Sequence, residues 1–241
     1  MKRRGGQMEQ RRWFHGVAIA AAAAGVLTSC SALPSNVATR PLSPVPAGSI
    51  RRIAVLPFTT AGLAPAGAPE AGSEPLSEPP GDTVTRAVLT AMRDQPDWVI
   101  IDDLTVGEGL RRLYGEVRAP TAAEAQAVAK VLQADAVLRG DLRVFEERIG
   151  SELAAKRPAH VVFGVELVRA DGVAVWQGEY AEQQQSLSEN LWNLPGFVRA
   201  GGTWVRAGEL AELGAAQVAD RLHTALYGAA PAKKSSKKKT P

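Results

Sequence analysis

The chain of 241 residues is 45% hydrophobic and contains a single cysteine, Cys30. One cysteine excludes an internal disulfide, so the folded part must be stabilised by its apolar core alone, which is feasible at this length. The net charge of +3 comes from the two ends, because residues 1–29 carry +4 and the tail 233–239 carries +5, which leaves −6 for residues 30–232. An acidic central part argues against a nucleic-acid-binding face, which needs clustered positive charge.

The first 29 residues have the three parts of an export signal. Basic residues come first, twelve uncharged residues follow from Gly16 to Leu27, and the run Leu27-Thr28-Ser29-Cys30 closes the segment. This run resembles the lipobox of bacterial lipoproteins. The resemblance implies that residues 1–29 are a signal peptide, that Cys30 becomes the mature N-terminus, and that its sulfur carries diacylglycerol. Cys30 is thus the predicted lipidation site and the link to a lipid bilayer.

The same segment has two other interpretations. A transmembrane helix needs about 18 or more apolar residues, and this stretch is too short. A simple secretory peptide with an accidental cysteine stays open. Ser31 after the cysteine resembles outer-membrane sorting, so the periplasmic side of the outer membrane is favoured. Arg11-Arg12 leaves open whether export uses the general or the twin-arginine route.

Two Pro-rich stretches interrupt the chain before the first predicted helix. Residues 30–50 have no helical or strand period and predict a flexible tether for the lipidated end, with a reach of up to roughly 60 Å if extended. A single domain is expected over residues 51–228. The apolar run Ile53 to Phe58 predicts a strand covered on both faces. Residues 61–81, rich in Pro and Gly, predict an insertion.

Helical and strand periods alternate from Asp82 onward. The period predicts a helix from Asp82 that stops before Pro96, a short strand over 98–101, and turn or cap residues at Asp102-Asp103. Residues 104–114 are uncertain and compatible with a helix. Thr121 and Glu124 form a capping box that opens a helix to Leu132.

The second half of the domain predicts a sheet with one wet face. Residues 136–144 alternate between apolar side chains and Arg139, Asp141 and Arg143. Two apolar runs, 160–168 and 173–180, are joined through Asp171-Gly172, a hairpin signal in which both central residues are expected to have positive φ. Residues 206–226 then show a helical stripe, and the Lys-rich tail 229–241 predicts disorder. The fold class is therefore α/β, with a mixed sheet, parallel early strands and a C-terminal hairpin, packed with three to four helices in two or three layers.

Three short motifs carry a family resemblance. They are Arg51 to Phe58 (RRIAVLPF), Ala129 to Gly140 (AKVLQADAVLRG) and Val175-Trp176-Gln177-Gly178. Their order resembles a broad group of periplasmic lipoproteins that includes the curli secretion lipoprotein, activator lipoproteins of penicillin-binding proteins and the N-terminal domain of TolB. Members of the group often have Gly where this chain has Gln133, and Gly there suits a left-handed helix cap.

The inventory of chemical groups does not predict an enzyme. His160 begins a strand and His223 lies on the last helix, where an exposed or half-buried position is expected. Asp102-Asp103 and Glu146-Glu147 are adjacent carboxylates that would point to opposite faces of a strand, so neither pair suits acid-base catalysis; solvated strand ends are expected. No catalytic residue, cofactor site or metal site is predicted.

An aromatic segment is the candidate binding surface for an envelope protein partner. Large apolar side chains on a loop would be costly to expose without a partner. The candidate residues are Leu191, Trp192, Leu194, Phe197 and Trp204. The alternative is that Trp192 and Trp204 cap the edge of the sheet as part of the core.

Two functions remain at this point. The first is a membrane-anchored, non-catalytic accessory or docking lipoprotein in envelope, cell-wall or surface-structure assembly. The second is a ligand-binding or hydrolytic envelope lipoprotein with an unrecognised cleft. The Lys-rich tail has two interpretations of equal weight, namely contact with anionic envelope polymers or a solubilising end.

Overall fold

The structure, a computed structural model, describes residues 36–63, 78–151, 155–184 and 204–228. Within these ranges the strands are β1 (Val37–Pro41), β2 (Arg52–Val55), β3 (Val99–Ile100), β4 (Ala136–Glu146), β5 (Ile149–Gly150), β6 (Ala155–Arg157), β7 (His160–Arg169) and β8 (Ala174–Gln183). The α-helices are α1 (Pro80–Arg93), α2 (Asp103–Tyr114), α3 (Ala125–Val131) and α4 (Ala207–Tyr227). Cys30, most of the predicted insertion and the Lys-rich tail lie outside the described residues.

Six strands form one mixed sheet in the order β1-β8-β7-β4-β2-β3. β2 pairs in parallel with β3 and β4, whereas the pairs β4–β7, β7–β8 and β8–β1 are antiparallel. The predicted fold class, an α/β fold with parallel early strands and a C-terminal hairpin, is confirmed. β5 and β6 form a separate small hairpin between β4 and β7.

Helices cover the two faces of this sheet unequally. α1 and α4 pack on one face, where Val88 and Leu222 join Phe163 and Tyr180 in the larger core cluster. α2 and α3 pack on the other face over β2, the start of β4 and the end of β7, in a second cluster that includes Leu110 and Val137. Ile53, Ala54 and Val55 are at most 4% exposed because β2 lies between both helical layers. A continuous apolar strand suits this position.

The predicted tether is wrong for residues 37–41. These residues form the edge strand β1, which runs antiparallel to β8 from the pair Val37–Tyr180 to the pair Pro41–Trp176. The burial pattern has only Val37 buried, so the segment carries almost no strand periodicity of its own. Its pairing is decided by the edge of β8, more than 130 residues away in sequence. Pro41 is tolerated because it stands at the end of an edge strand.

The capping residues at the starts of α2 and α3 adopt the roles that the sequence predicts. The uncertain segment 104–114 is helical, since α2 begins after Asp102, whose side chain accepts a hydrogen bond from the Thr105 backbone N–H, and ends at Gly115 with φ of 81°. The Thr121–Glu124 capping box is present, although it opens a 3-10 turn, Ala122–Glu124, that continues into α3.

The β7–β8 hairpin forms where the sequence predicts it, but with a different turn. Gly172 has φ of 87°, and it is the one residue of the pair Asp171-Gly172 with a positive φ. The Gly172 N–H donates to the Arg169 carbonyl at 2.9 Å, and the pairing register shifts at Leu167/Val168. A four-residue turn, Arg169 to Gly172, that ends on a left-handed glycine therefore replaces the expected two-residue turn.

Candidate functional site

The structure describes one of the five predicted partner-binding residues. Leu191, Trp192, Leu194 and Phe197 lie outside the described residues, whereas Trp204 is described and half-buried. The Trp204 carbonyl accepts a hydrogen bond from the Arg148 guanidinium. The structure thus shows where the aromatic segment joins the domain.

The two ends of segment 185–203 meet at one point of the fold. The Gln184 backbone N–H donates to the Ala159 carbonyl at 3.2 Å, and its side-chain oxygen accepts from the Val205 N–H at 2.9 Å. Gln184 is 6% exposed and Val205 is 8% exposed. We call Gln184, Trp204 and Val205, with Arg148 beside them, the segment base. Because the hydrogen bond between Gln184 and Val205 is buried, water competes little for it.

Glu147 stabilises the helix that follows the segment base. One carboxylate oxygen accepts from the Ala207 N–H at 3.1 Å and lies 3.9 Å from the Arg206 guanidinium. A carboxylate at a helix N-terminus interacts favourably with the helix dipole. The side chain of Glu147 is only 12% exposed, so the expected solvated position is wrong. Glu146 lies apart from it, 3.8 Å from His160, which agrees with the prediction that these two carboxylates do not form a pair.

The β5–β6 hairpin lies at the same end of the sheet as the segment base. It connects the end of β4 to the start of β7, and Ile149 in it is 6% exposed. Lys156 and Arg157 on β6 are exposed. Sequence reasoning missed this hairpin because the strands have two and three residues, too few for a period to emerge.

His223 is buried in an aromatic cluster, which corrects the expected exposed or half-buried position. The side chain is 2% exposed, and its Nε2 lies 3.0 Å from a carboxylate oxygen of Asp97. Its ring stacks on Tyr227 and meets the edge of Trp98, with centroid distances of 5.2 and 5.4 Å. The Tyr227 hydroxyl donates to the Ile50 carbonyl. These contacts join the end of α4 to the turn before β3, so His223 has a structural role.

The Asp102-Asp103 carboxylates hold α2. The Thr105 hydroxyl and its backbone N–H donate to Asp102 at 2.7 and 2.8 Å, and these hydrogen bonds, led by that of the hydroxyl, hold the pKa of Asp102 below its usual value. Asp103 lies 3.3 Å from the Arg93 guanidinium. The predicted cap role is confirmed for Asp102.

A charged region occupies the sheet face that α2 and α3 leave uncovered. Arg139 pairs with Glu166 at 2.9 Å, and Arg143 contacts both Asp141 at 2.7 Å and Glu179 at 2.9 Å. The Arg139–Glu166 pair joins the adjacent strands β4 and β7, where opposite charges stabilise the pairing. The Arg143–Asp141 pair lies within β4, and the Arg143–Glu179 pair reaches across β7 to β8. This arrangement confirms the predicted wet face of β4.

Three further features of the described ranges concern metal binding, membrane insertion and surface grooves. No group of three or more His, Cys, Asp or Glu side chains in them could hold a metal ion. No α-helix in the described part has the length and apolar character needed to cross a membrane. A shallow groove lies between Ile50, Ala134 and Arg169, beside Asp135, whose carboxylate accepts from the Arg51 and Arg52 backbone N–H groups at 2.9 and 2.8 Å.

Comparison with known proteins finds distant likeness in structure. No family model and no curated protein matches the chain. Among solved structures, the chain is similar to the PelC dodecamer from Paraburkholderia phytofirmans, with 15% identity over 76% of this chain and 96% of that chain and a TM-score of 0.40. It is also similar to lipoprotein GNA1162 from Neisseria meningitidis, with 16% identity over 63% of this chain and 94% of that chain and a TM-score of 0.41. The C-terminal domain of LpoB from Salmonella enterica aligns at 15% identity over 58% of this chain and 86% of that chain, with a TM-score of 0.37. The likeness concerns the fold alone.

Proposed function

We propose that this chain is a lipid-anchored envelope lipoprotein whose α/β domain docks, without catalysis, on another envelope protein during cell-wall or surface-structure assembly. The observation that carries the proposal is Cys30, the only cysteine, placed directly after Leu27-Thr28-Ser29 and an apolar stretch. Two or three acyl chains give stable anchoring, whereas one chain binds a membrane only marginally. Ser31 favours the periplasmic side of the outer membrane.

The proposed docking surface is the aromatic segment of Leu191, Trp192, Leu194, Phe197 and Trp204. Interface energy concentrates in a few aromatic residues, and Trp192 and Phe197 are the proposed anchors. The buried hydrogen bond between Gln184 and Val205 supports this choice, because it holds both ends of the segment at one point. Restraint of that kind lowers the ordering cost on binding.

A non-catalytic role is supported by the structural contacts of the candidate acid-base groups. Asp102 caps α2 and Glu147 binds the start of α4. His223 is packed between two aromatic rings and paired with Asp97. Each of these groups has a structural contact that explains its position.

Cross-linking in intact envelopes, followed by purification, tests the docking surface. We expect a stoichiometric protein partner with the natural chain and its loss with Trp192→Ala/Phe197→Ala, while the melting temperature stays nearly unchanged. Trp98→Ala is the matched control, since Trp98 is 8% exposed in the core and its truncation should cost about 3 to 5 kcal/mol of folding stability. A comparable loss of stability in the double variant would show that Trp192 and Phe197 are core residues.

Cys30→Ala tests the anchor separately. The variant should appear as a soluble or unprocessed form in fractionated cells, because it has no thiol to acylate. A variant that is still processed and still tightly bound to the membrane would contradict lipidation at Cys30.

A further inference from the structure

We propose that the sheet end bearing Asn36 and the β5–β6 hairpin lies against the membrane, with Lys156 and Arg157 contacting anionic phospholipid headgroups. This inference rests on the lipidation of Cys30 proposed above. It adds an orientation of the domain and a lipid contact surface.

The chain between the proposed lipid on Cys30 and the fold is short. Asn36 is held in place, since its N–H donates to Gln217 at 3.3 Å and its carbonyl accepts from the Ala181 N–H at 3.2 Å. Consecutive Cα atoms are 3.8 Å apart, so the Cα of Asn36 lies at most about 23 Å from that of Cys30. This limit is far shorter than the reach expected for a tether that continues to residue 50. The domain is therefore held close to the bilayer.

The short connection from Cys30 joins the sheet at the end where β8 finishes. Asn36 is level with Ala181 of β8, which pairs with Val162 of β7. Beyond this level the pairing continues to Gln183, His160 and Glu146. The β5–β6 hairpin follows directly on these last pairs, so it lies at the same end of the sheet as Asn36.

The β5–β6 hairpin lies closer to Asn36 than the turn at Gly172 does. β7 and β4 are the second and third strands from β1, which places them about 10 and 14 Å from it at the usual strand spacing. The hairpin that joins β7 and β4 thus lies about 10 to 14 Å across the sheet from β1, which is within the limit of about 23 Å between Cys30 and Asn36. The turn at Gly172 lies at the opposite end, about 30 Å away along β7. A lipid on Cys30 consequently favours the hairpin end over the turn end as the membrane-facing side.

This end of the sheet carries exposed basic side chains. Lys156 and Arg157 are exposed on β6. Among the described acidic residues nearby, Glu147 binds the start of α4, Glu182 accepts from the Tyr180 hydroxyl at 2.7 Å, and the half-exposed Glu146 lies 3.8 Å from His160. A basic residue near an anionic membrane strengthens binding about fivefold. Phospholipid headgroups therefore suit this surface.

A site-specific fluorescence label tests the orientation on the full acylated protein. Cys30 is the only native cysteine and is consumed by the lipid, so Ser151→Cys and Val173→Cys each create one labelling position. Ser151 is exposed on the hairpin, and Val173 is 40% exposed at the opposite end. In vesicles of phosphatidylethanolamine and phosphatidylglycerol with a nitroxide on the headgroups, we expect strong quenching at position 151 and only background at position 173. Equal quenching at both positions, or stronger quenching at 173, overturns the orientation.

Charge variants test the headgroup contact. Lys156→Gln/Arg157→Gln, added to Ser151→Cys, should lower the quenching, whereas Arg111→Gln/Arg112→Gln on α2 should leave it unchanged. Insertion of a long Gly/Ser linker between Ser35 and Asn36 should also lower it, because the domain would then move away from the bilayer. Unchanged quenching in the Lys156/Arg157 variant overturns the lipid contact.

Mass spectrometry of the N-terminal peptide separates the two proposals. An unmodified Cys30 contradicts the proposed anchor itself. An acylated Cys30 combined with quenching at position 173 contradicts the orientation and leaves the anchor intact.

Discussion

Gln133 adopts a backbone conformation that favours glycine. Its φ is 51°, and it follows α3 as the left-handed residue of a helix C-cap. The Ala134 N–H donates to the Ala129 carbonyl at 2.9 Å, and the Gln133 N–H donates to the Lys130 carbonyl at 3.2 Å. These two bonds define a Schellman cap, in which glycine is the usual left-handed residue. The sequence-based suggestion that glycine suits this position is therefore confirmed by the backbone.

Gln133→Gly should raise the free energy of unfolding by about 1 kcal/mol, because glycine has no Cβ to clash in this conformation. Urea denaturation measures the change. Asp97→Gly is the control, since Asp97 has φ of 74° but also contacts His223 at 3.0 Å. That variant loses the contact, so its gain should be smaller or reversed. A destabilised Gln133→Gly protein would contradict the strain argument.

At the scale of elements, the start of α3 depends on one carboxylate. Glu124 accepts two hydrogen bonds from the Arg118 guanidinium, at 2.5 and 3.0 Å, and one from the Thr121 backbone N–H at 2.8 Å. The bonds from Arg118, followed by the one from Thr121, lower the pKa of Glu124 from 4.5 to about 2. The Arg118 guanidinium also lies 4.1 Å from the centre of the Tyr114 ring. Glu124 therefore links α2, the loop after it and α3.

This lowered pKa predicts how stability changes with acid. A group with a lower pKa in the folded state contributes stability above its unfolded pKa, and the contribution disappears as the pH falls. The stabilisation from Glu124 should be full above pH 4.5 and should fall as the pH approaches about 2. Glu124→Gln should thus be less stable than the natural chain at neutral pH, and the two curves should converge in acid. Denaturant titrations across this range measure the gap; a gap that is independent of pH would refute the role of the charge.

At the scale of the whole molecule, α4 packs closely on the sheet at Gly214. A Cβ built on Gly214 would lie 2.5 Å from two carbons of the Tyr180 ring on β8. Tyr180 is fully buried and packs against Phe163 with a centroid distance of 5.3 Å. Gly214 therefore sets the distance between the helical layer of α1 and α4 and the sheet.

Gly214→Ala should destabilise the protein by about 1 to 3 kcal/mol, because overpacking outweighs the better helix propensity of alanine. Gly208→Ala in the same helix is the matched control. Its added Cβ would meet its nearest neighbour, a methyl group of Thr83, at an ordinary 3.7 Å. That variant should be stabilised by up to about 1 kcal/mol. Thermal denaturation of both variants provides the test, and a stabilised Gly214→Ala protein would contradict the close-packing account.

The sequence by itself determined the features that depend on near neighbours. The apolar run before Phe58 predicted a strand buried on both faces, and the alternation around Arg139 predicted a strand with one wet face. Thr121 and Glu124 predicted a helix start because a capping box is complete within four residues. The interpretation of Cys30 as a lipidation site also rests on adjacent residues alone.

Only the tertiary structure decided the features that depend on distant contacts. β1 exists because β8 offers an edge, and its five residues carry too weak a pattern to predict a strand. His223 is buried because Trp98 and Asp97 reach it from a turn 126 residues away in sequence. The hydrogen bond between Gln184 and Val205, on either side of segment 185–203, likewise depends on residues that are distant in sequence. Hydrophobic periods and caps act over one or two turns of chain, whereas edge pairing and side-chain burial depend on which surfaces the completed sheet brings together.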